Sequence, residues 1–256
     1  MNKNFSCDSY YLFGLQFLAH LSLIPMVMYA DWYHWLIAFG VYFITGCFGM
    51  TMTYHRLLSH NSWKAPDWFR KLGTFCGMYG MTGSPLGWIA IHRQHHQYAD
   101  TDKDPHSPHH KKWWEVQFLS MFHKPNIRYI KKLLRAPFLK LCHEYYFDFH
   151  LAVMAFWLIV HPFGLIYAYF VPAMILWNMG SAINTVTHFF GYKNHDDVED
   201  YSKNNLLFGF LMWGEGWHEN HHKYPNRANF GIKWWEFDIG YFFIKLIGLK
   251  SHGPKN

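Results

Sequence analysis

The chain has 256 residues, 51% hydrophobic and 21% aromatic, with a formal net charge of +6 and twenty histidines. That apolar load is heavy for an ordinary water-soluble domain. With no nucleic-acid-binding motif present, the positive charge suits anionic lipid better than DNA or RNA. Cys7, Cys47, Cys76 and Cys142 stand far apart and form no C-x-x-C, which argues against a disulfide framework or a zinc knuckle.

Along the chain the basic residues are segregated. After Lys3 the next Lys or Arg is Arg56, and after Lys140 the next is Lys193. Each gap is long enough for two membrane crossings of about 20 mostly apolar residues. The pattern predicts spans at 9–30, 35–53, 146–161 and 165–188, with short links that fold them into two helical hairpins. Gly14, Pro25, Pro172 and Gly180 are tolerable inside such spans. Nearly all Lys and Arg lie in 54–145 and 191–256, so both segments and both termini face the cytoplasm. The chain therefore reads as all-α and integral to the membrane: one domain over 1–256, with four transmembrane helices and a cytoplasmic helical cap. Tyr10, Tyr11, Trp32, Trp35 and Tyr146 fall near span ends, as an aromatic belt requires. Segments 66–79, 112–122 and 234–249 mix Trp, Phe and Leu with charged residues and read as amphipathic helices lying on the membrane over the site.

The histidines fall in sets. An H-x-x-H-H pattern occurs at His92–His96, His106–His110 and His218–His222. On a helix, positions i, i+3 and i+4 share a face. His92, His95 and His96 therefore converge, as do His218, His221 and His222, and neutral imidazole is a common transition-metal ligand. Two such triplets exceed the needs of one metal and suggest two. The middle copy is interrupted by Pro108, which breaks the helical phase, so His106, His109 and His110 are expected in a loop as non-ligands. His55 and His60, five apart, lie about 140° apart on an ideal helix. Either the second span unwinds there or each serves a different metal. Asn184 and His188 form a polar pair near the cytoplasmic end of the fourth span and must point inward. Isolated histidines, His20, His34, His123, His143, His150, His161, His195 and His252, are expected in surface, interfacial or span-end roles.

HRLLSH (55–60), HRQHH (92–96) and GEGWHENHH (214–222) resemble the three histidine boxes of the membrane fatty acid desaturases, most closely the delta-9-type acyl-CoA and acyl-lipid branch. NTVTH (184–188), Trp88, DTDKDPHSP (100–108) and YPNRANFGIKWWEFD (224–238) extend the likeness toward bacterial members. The resemblance implies a centre of two iron ions held by His55, His60, His92, His95, His96, His188, His218, His221 and His222, with Asn184 reaching one ion through water. It also implies O2-dependent insertion of a cis double bond, delta-9-like in position, into a fatty acyl chain in a multi-pass protein of the bacterial cytoplasmic membrane. Ala90 and Ile91 replace the Arg-Asp that eukaryotic acyl-CoA members carry before the second box, which leaves acyl-CoA, acyl carrier protein thioester and phospholipid open as carriers.

Removing hydrogen from an unactivated methylene needs a redox metal pair, and zinc has no redox chemistry. Ligating imidazoles usually donate their second N–H to a carboxylate or carbonyl. Asp100, Asp102, Asp104, Glu215 and Glu219 are near enough in sequence, and Asp104 and Glu219 are the favoured partners. Trp88 is expected to wall an acyl tunnel, and Arg56 and Arg93 to contact the substrate headgroup. Electrons would come from a separate donor, such as an acidic ferredoxin or cytochrome b5, attracted by the basic face. Hydroxylation or acetylene formation on the same scaffold, or a histidine-rich membrane metal carrier, are the competing readings. A carrier needs polar residues through the bilayer, whereas here they gather at one face.

Overall fold

Long apolar stretches without charge leave the backbone no partner but itself, and helix follows. The computed structural model describes residues 5–247, with side chains from residue 9. Among these residues every regular element is helical apart from two isolated β-bridges, Tyr192–Asn204 and Asn204–Trp217. His252, expected as an isolated surface histidine, lies outside the described residues.

The first candidate span, Ser9–Tyr29, combines α1 (Phe5–Leu21) with α2 (Leu23–Tyr29). At their junction the Ser22 hydroxyl donates back to the Ala19 carbonyl at 2.7 Å. The turn into α3 (Trp32–Phe43) is closed by the Asp31 N–H donating to His34 Nδ1 at 3.0 Å. From there the helix does not stop at 53, as expected, but runs to Ser59 as one 28-residue span, and its second half, Ile44–Ser59, is π-wound. Thr53 and Ser59 hydroxyls donate to the carbonyls five residues back, at 2.7 and 2.8 Å, which supports the wider turn. The first histidine box therefore lies at the end of the span itself.

Next, α4 (Asp67–Tyr79) returns along the π-wound stretch and exposes Trp68, Leu72 and Phe75 on its other side. It is followed by α5 (Pro85–Tyr98), α6 (Trp113–Leu119) and, after a run of short 3-10 turns, α7 (Pro137–Glu144). The apolar helix α8 (Tyr146–Val160) has 15 residues, so it reaches about 22 Å. A second π-wound turn, Ile166–Phe170, leads into α9 (Val171–Phe189), and together they form a third candidate span of 24 residues. The described residues thus hold three helices long enough to cross a bilayer, with α8 as a shorter apolar companion, where the sequence predicts four full spans. The apolar side chains these helices expose, among them Ile24, Val27, Leu36, Phe39 and Ile159, form a surface suited to lipid.

The remaining helices are short: α10 (Leu206–Leu211), α11 (His218–Lys223) and α12 (Ile239–Leu246). The amphipathic helix expected over 234–249 begins only at α12, where the Asp238 carboxylate accepts the Tyr241 N–H at 2.9 Å. Residues 234–238 are held off helix because Glu236 and Asp238 turn inward and are buried; residues 248 and 249 lie outside the described residues.

The close approach of α4 to the π-wound stretch depends on the absence of a side chain at Gly49. A Cβ there would stand 2.4 Å from the Gly77 backbone nitrogen, whereas a Cβ at Gly14 would meet nothing within 4 Å. Gly49→Ala is therefore expected to destabilise the protein by about 1–3 kcal/mol through overpacking. Gly14→Ala should be neutral or slightly stabilising. Thermal unfolding of the two detergent-solubilised variants checks the contrast.

Candidate metal centre

Four helical segments carry imidazoles to one place. The first is the end of the α3 span. Five-residue winding brings His55 and His60 onto nearly one face, and their ring centroids are 5.0 Å apart. The helix there is underwound from α to π, and the two residues fall in one group rather than in different ones. The second is α5, started by Ser84, whose hydroxyl accepts the Gly87 N–H at 3.4 Å, and by Pro85 at its first position; regular winding then puts His92, His95 and His96 on one face. The third is α9, which brings His188 and, one turn earlier, Asn184. The fourth is α11, with His218, His221 and His222. Its approach passes through Gly214 at φ +105°, where a Cβ would meet the Asp238 carboxylate at 2.3 Å; only glycine fits there.

The nine histidines separate into two groups: His55, His60, His92, His96 and His221, and His95, His188, His218 and His222. Within each group the candidate ligand atoms lie within 4.8 Å of one another. Facing Nε2 atoms are close: His55 to His221 at 2.9 Å, His60 to His92 at 2.7 Å, His95 to His222 at 3.2 Å and His188 to His218 at 3.2 Å. Metal–imidazole bonds of about 2.1 Å place adjacent ligand nitrogens about 3 Å apart, so the donor set fits one ion in each group. Burial, followed by the neighbouring cationic groups, holds His60, His92, His96, His218 and His221 well below the ordinary histidine value. That favours the neutral form a ligand needs.

Carboxylates fix the rings from behind. Asp104 accepts from His95 Nδ1 at 3.0 Å, Asp100 from His188 Nδ1 at 2.8 Å, Asp200 from His222 Nδ1 at 2.7 Å, and Glu215 from His55 Nδ1 at 2.5 Å. Each bond sets the tautomer so that the Nε2 lone pair points into the group. Burial opposes ionisation of Asp100, yet hydrogen bonds from His188, Ser107 and the Tyr201 N–H outweigh it and bring the carboxyl down to about 2. Burial is likewise outweighed at Asp104 by His95 and at Asp200 by His222 and Ser202, and both stay below the usual carboxylate range. Asp100 adopts φ +54°, a left-handed turn that aspartate tolerates.

Of the carboxylates expected behind the rings, Asp104 stands on His95, but Glu219 reaches none of the nine. It accepts from the Asn194 and His195 N–H groups, His195 Nδ1 and Asn204 Nδ2, at 2.9 to 3.1 Å. It faces the opposite side of α11 from the imidazoles and ties down the loop that presents Asp200. Asp200 is the partner sequence reasoning missed. It lies 22 residues before His222, and only the path of that loop joins them.

Arg56 and Arg93, expected to contact the substrate headgroup, direct their guanidiniums into the protein. Arg56 is fully buried. It donates to Asp238 and the Ala228 carbonyl at 2.9 and 2.8 Å and stacks 3.9 Å over Phe230. Arg93 donates to the carbonyls of Leu58, Ser59 and Tyr129 at 2.7 to 2.9 Å. Arg93 clamps carbonyls left open at helix ends, and Arg56 is a clamp through its buried ion pair with Asp238. His109 and His110 donate to the carbonyls of His188 and Asp100, and His106 hangs its N–H on Asp104; none of the three belongs to either group.

A cavity of about 180 Å³ opens onto both groups, lined by His55 and His92 from one and His218 from the other. Asn184 and Trp88 also line it, and Trp88 stacks on His92 at 4.8 Å between ring centroids. Leu12, Leu176, Trp177 and Phe147 give it apolar walls.

Residues 31–239 match the family model described as fatty acid desaturase. The sn-1 stearoyl-lipid 9-desaturase of Synechocystis sp. is 32% identical over 248 residues, covering 94% of this chain and 76% of the relative. The chloroplastic palmitoyl-monogalactosyldiacylglycerol delta-7 desaturase of Arabidopsis thaliana is 32% identical over 248 residues, 89% of this chain and 62% of the relative. The acyl-CoA C20 Delta5-desaturase of Anemone leveillei is 31% identical over 231 residues, 85% of this chain and 72% of the relative.

Removing the Arg56 guanidinium would strand the buried Asp238 carboxylate. Arg56→Ala is expected to destabilise the protein by about 3–5 kcal/mol, and Arg56→Lys should recover only part of it, because lysine cannot reproduce the planar fork. Unfolding midpoints in detergent test both; an Arg56→Ala protein as stable as the parent would contradict the clamp.

Proposed function

The chain belongs to the fatty acid desaturase family and is a fatty acyl desaturase, and from that premise we propose that it uses O2 and a pair of iron ions to insert a cis double bond, delta-9-like in position, into an acyl chain carried on a membrane lipid. The observation that carries this reading is the cavity whose apolar walls run up to imidazoles of both histidine groups. A cavity of that kind admits a hydrocarbon segment and brings its methylenes against the place where two ions fit. The lipid carrier is supported by the relatives named as acyl-lipid desaturases.

His55, His60, His92, His96 and His221 would hold one ion, and His95, His188, His218 and His222 the other, with Asn184 positioned to hold a water toward the second group. Bound there, the ions would supply the O2 activation needed to take two hydrogens from neighbouring methylenes, which side chains alone cannot do. The chain's own residues do the rest. Trp88 fixes the His92 ring and walls the cavity beside it. The apolar lining excludes water from the reacting segment. Asp100, Asp104, Asp200 and Glu215 keep the imidazoles oriented whatever occupies the cavity. Electrons come from a separate carrier, such as a ferredoxin or cytochrome b5, arriving at the basic face.

We place the protein in a bacterial cytoplasmic membrane as a single multi-pass domain, with α8 as a fourth, short span and the histidine groups on the cytoplasmic side. The concentration of Lys and Arg in 56–140 and 193–256 supports that orientation.

Expression in a host lacking its own desaturase, with a competent electron donor, should produce a new cis monoene in the membrane lipids by mass spectrometry. His95→Ala should abolish it. An unchanged fatty acid profile from the parent protein under those conditions would sink the proposal.

A further inference from the structure

The two histidine groups differ sharply in the charge around them. Behind His95, His188 and His222 stand Asp104, Asp100 and Asp200, at 3.0, 2.8 and 2.7 Å. Among the described residues none of these three carboxylates is ion-paired to a Lys or Arg. The five-histidine group has a single carboxylate on its rings, Glu215 on His55 at 2.5 Å. Arg56 stands 3.6 Å from that carboxylate and 2.9 Å from Asp238. Arg93, next in sequence to His92, places its guanidinium on the carbonyls of Leu58 and Ser59 beside His60. The four-histidine group is thus backed by three negative charges, and the five-histidine group by two negative and two positive charges that cancel.

We infer that the four-histidine group retains its ion more tightly and that the five-histidine group empties first, so that a singly loaded chain carries its ion beside Asp100, Asp104 and Asp200. The inference rests on the two-ion reading above. The physical reason is what each group becomes when vacated. Losing a divalent ion from the four-histidine group leaves three carboxylates with no cation in a buried site, which is strongly unfavourable. Losing one from the five-histidine group leaves a shell already neutral overall. The fifth imidazole adds a donor atom but no charge. A carboxylate behind a ligating imidazole is worth about 10–100-fold in metal affinity, so two more of them amount to about 10²–10⁴-fold. Asp100, Asp104 and Asp200 are in this sense positioning residues for one ion, and Glu215 for the other.

The test is metal release from the full-length, iron-loaded protein in detergent. Samples are equilibrated anaerobically with graded chelator, and iron per chain is measured by mass spectrometry of the metal. The expected curve has two steps with a plateau near one ion per chain. Asp104→Asn and Asp200→Asn, which lie on separate segments, should each weaken the tighter step by about 10–100-fold and leave the looser step in place. Glu215→Gln should shift the looser step alone. Circular dichroism of each variant confirms that it is folded, so that a misfolded variant is set aside in favour of the other. Release of both ions in one step, or movement of the tighter step by Glu215→Gln, overturns the inference while the two-ion reading stands. A parent protein that never takes up two ions overturns both.

Discussion

An imidazole binds a metal only when it is neutral and its lone pair faces the ion, and much of this structure follows from gathering nine imidazoles into two groups that could each hold an ion. For His60, His92, His96, His218 and His221 burial favours the neutral ring, since a cationic ring there has neither solvent nor a carboxylate of its own. Orientation comes from behind. Four of the rings donate through Nδ1 to Asp104, Asp100, Asp200 or Glu215, and a ring so fixed can offer only Nε2 to the interior. The carboxylates are themselves anchored by backbone N–H groups and hydroxyls, as where Asp104 accepts from the N–H groups of Asp100 and His106 at 2.8 Å. The loop after α5 is thus part of the site although it contributes no imidazole to either group.

Bringing those rings together forces compromises in the helices. A regular α-helix would turn His55 and His60 away from each other, so the end of the α3 span widens to π winding and places both in the five-histidine group. π-Wound turns are rare and occur often at functional sites. The wider turn brings Arg56, between the two histidines, into the interior. That charge is tolerable because Asp238, the Ala228 carbonyl and the face of Phe230 meet it there. Residues 234–238 consequently fold inward instead of extending α12, and the C-terminal segment becomes a brace for the first histidine box. Arg93 does the same work for the end of the box by collecting the carbonyls that the terminating helix leaves open.

The membrane sets where all this can happen. Carboxylates and imidazoles are costly in hydrocarbon, and in this fold they cluster where the α3 and α9 spans end, close to α5 and α11. The cavity joins that polar floor to apolar walls supplied by the spans, Leu12 from α1 and Leu176 and Trp177 from α9 among them. A hydrocarbon substrate and a set of metal-binding groups have opposite solvation needs, and the end of a span is a place where both can be met.

Much of this was legible in the sequence because it is local. Windows free of Lys and Arg announce the three candidate spans and the shorter apolar α8, since a bilayer punishes every Lys or Arg placed in it. The i, i+3, i+4 spacing of His92, His95 and His96 fixes a shared face without reference to any other segment, and proline in 106–110 rules that copy out by the same logic. Asp104 could be paired with His95 because a single turn joins them. What could not be read depends on the path of the chain between distant segments. The spacing of His55 and His60 leaves the grouping open until the helix around them is seen to be π-wound. Glu219 looked like a ring partner from its place among the histidines, yet it sits on the other side of α11. Asp200 gave no signal, because nothing along the chain says that the loop after α9 returns to His222. Arg56 and Arg93 read as headgroup ligands, since a cation near a membrane surface usually faces phosphate; only packing could place Asp238 and the carbonyls of Leu58, Ser59 and Tyr129 against them. Local periodicity thus determined which side chains could act together on one helix, and tertiary contact decided which carboxylate stands behind which ring, because hydrogen bonds a few ångströms long are set by how segments meet in space and not by their order along the chain.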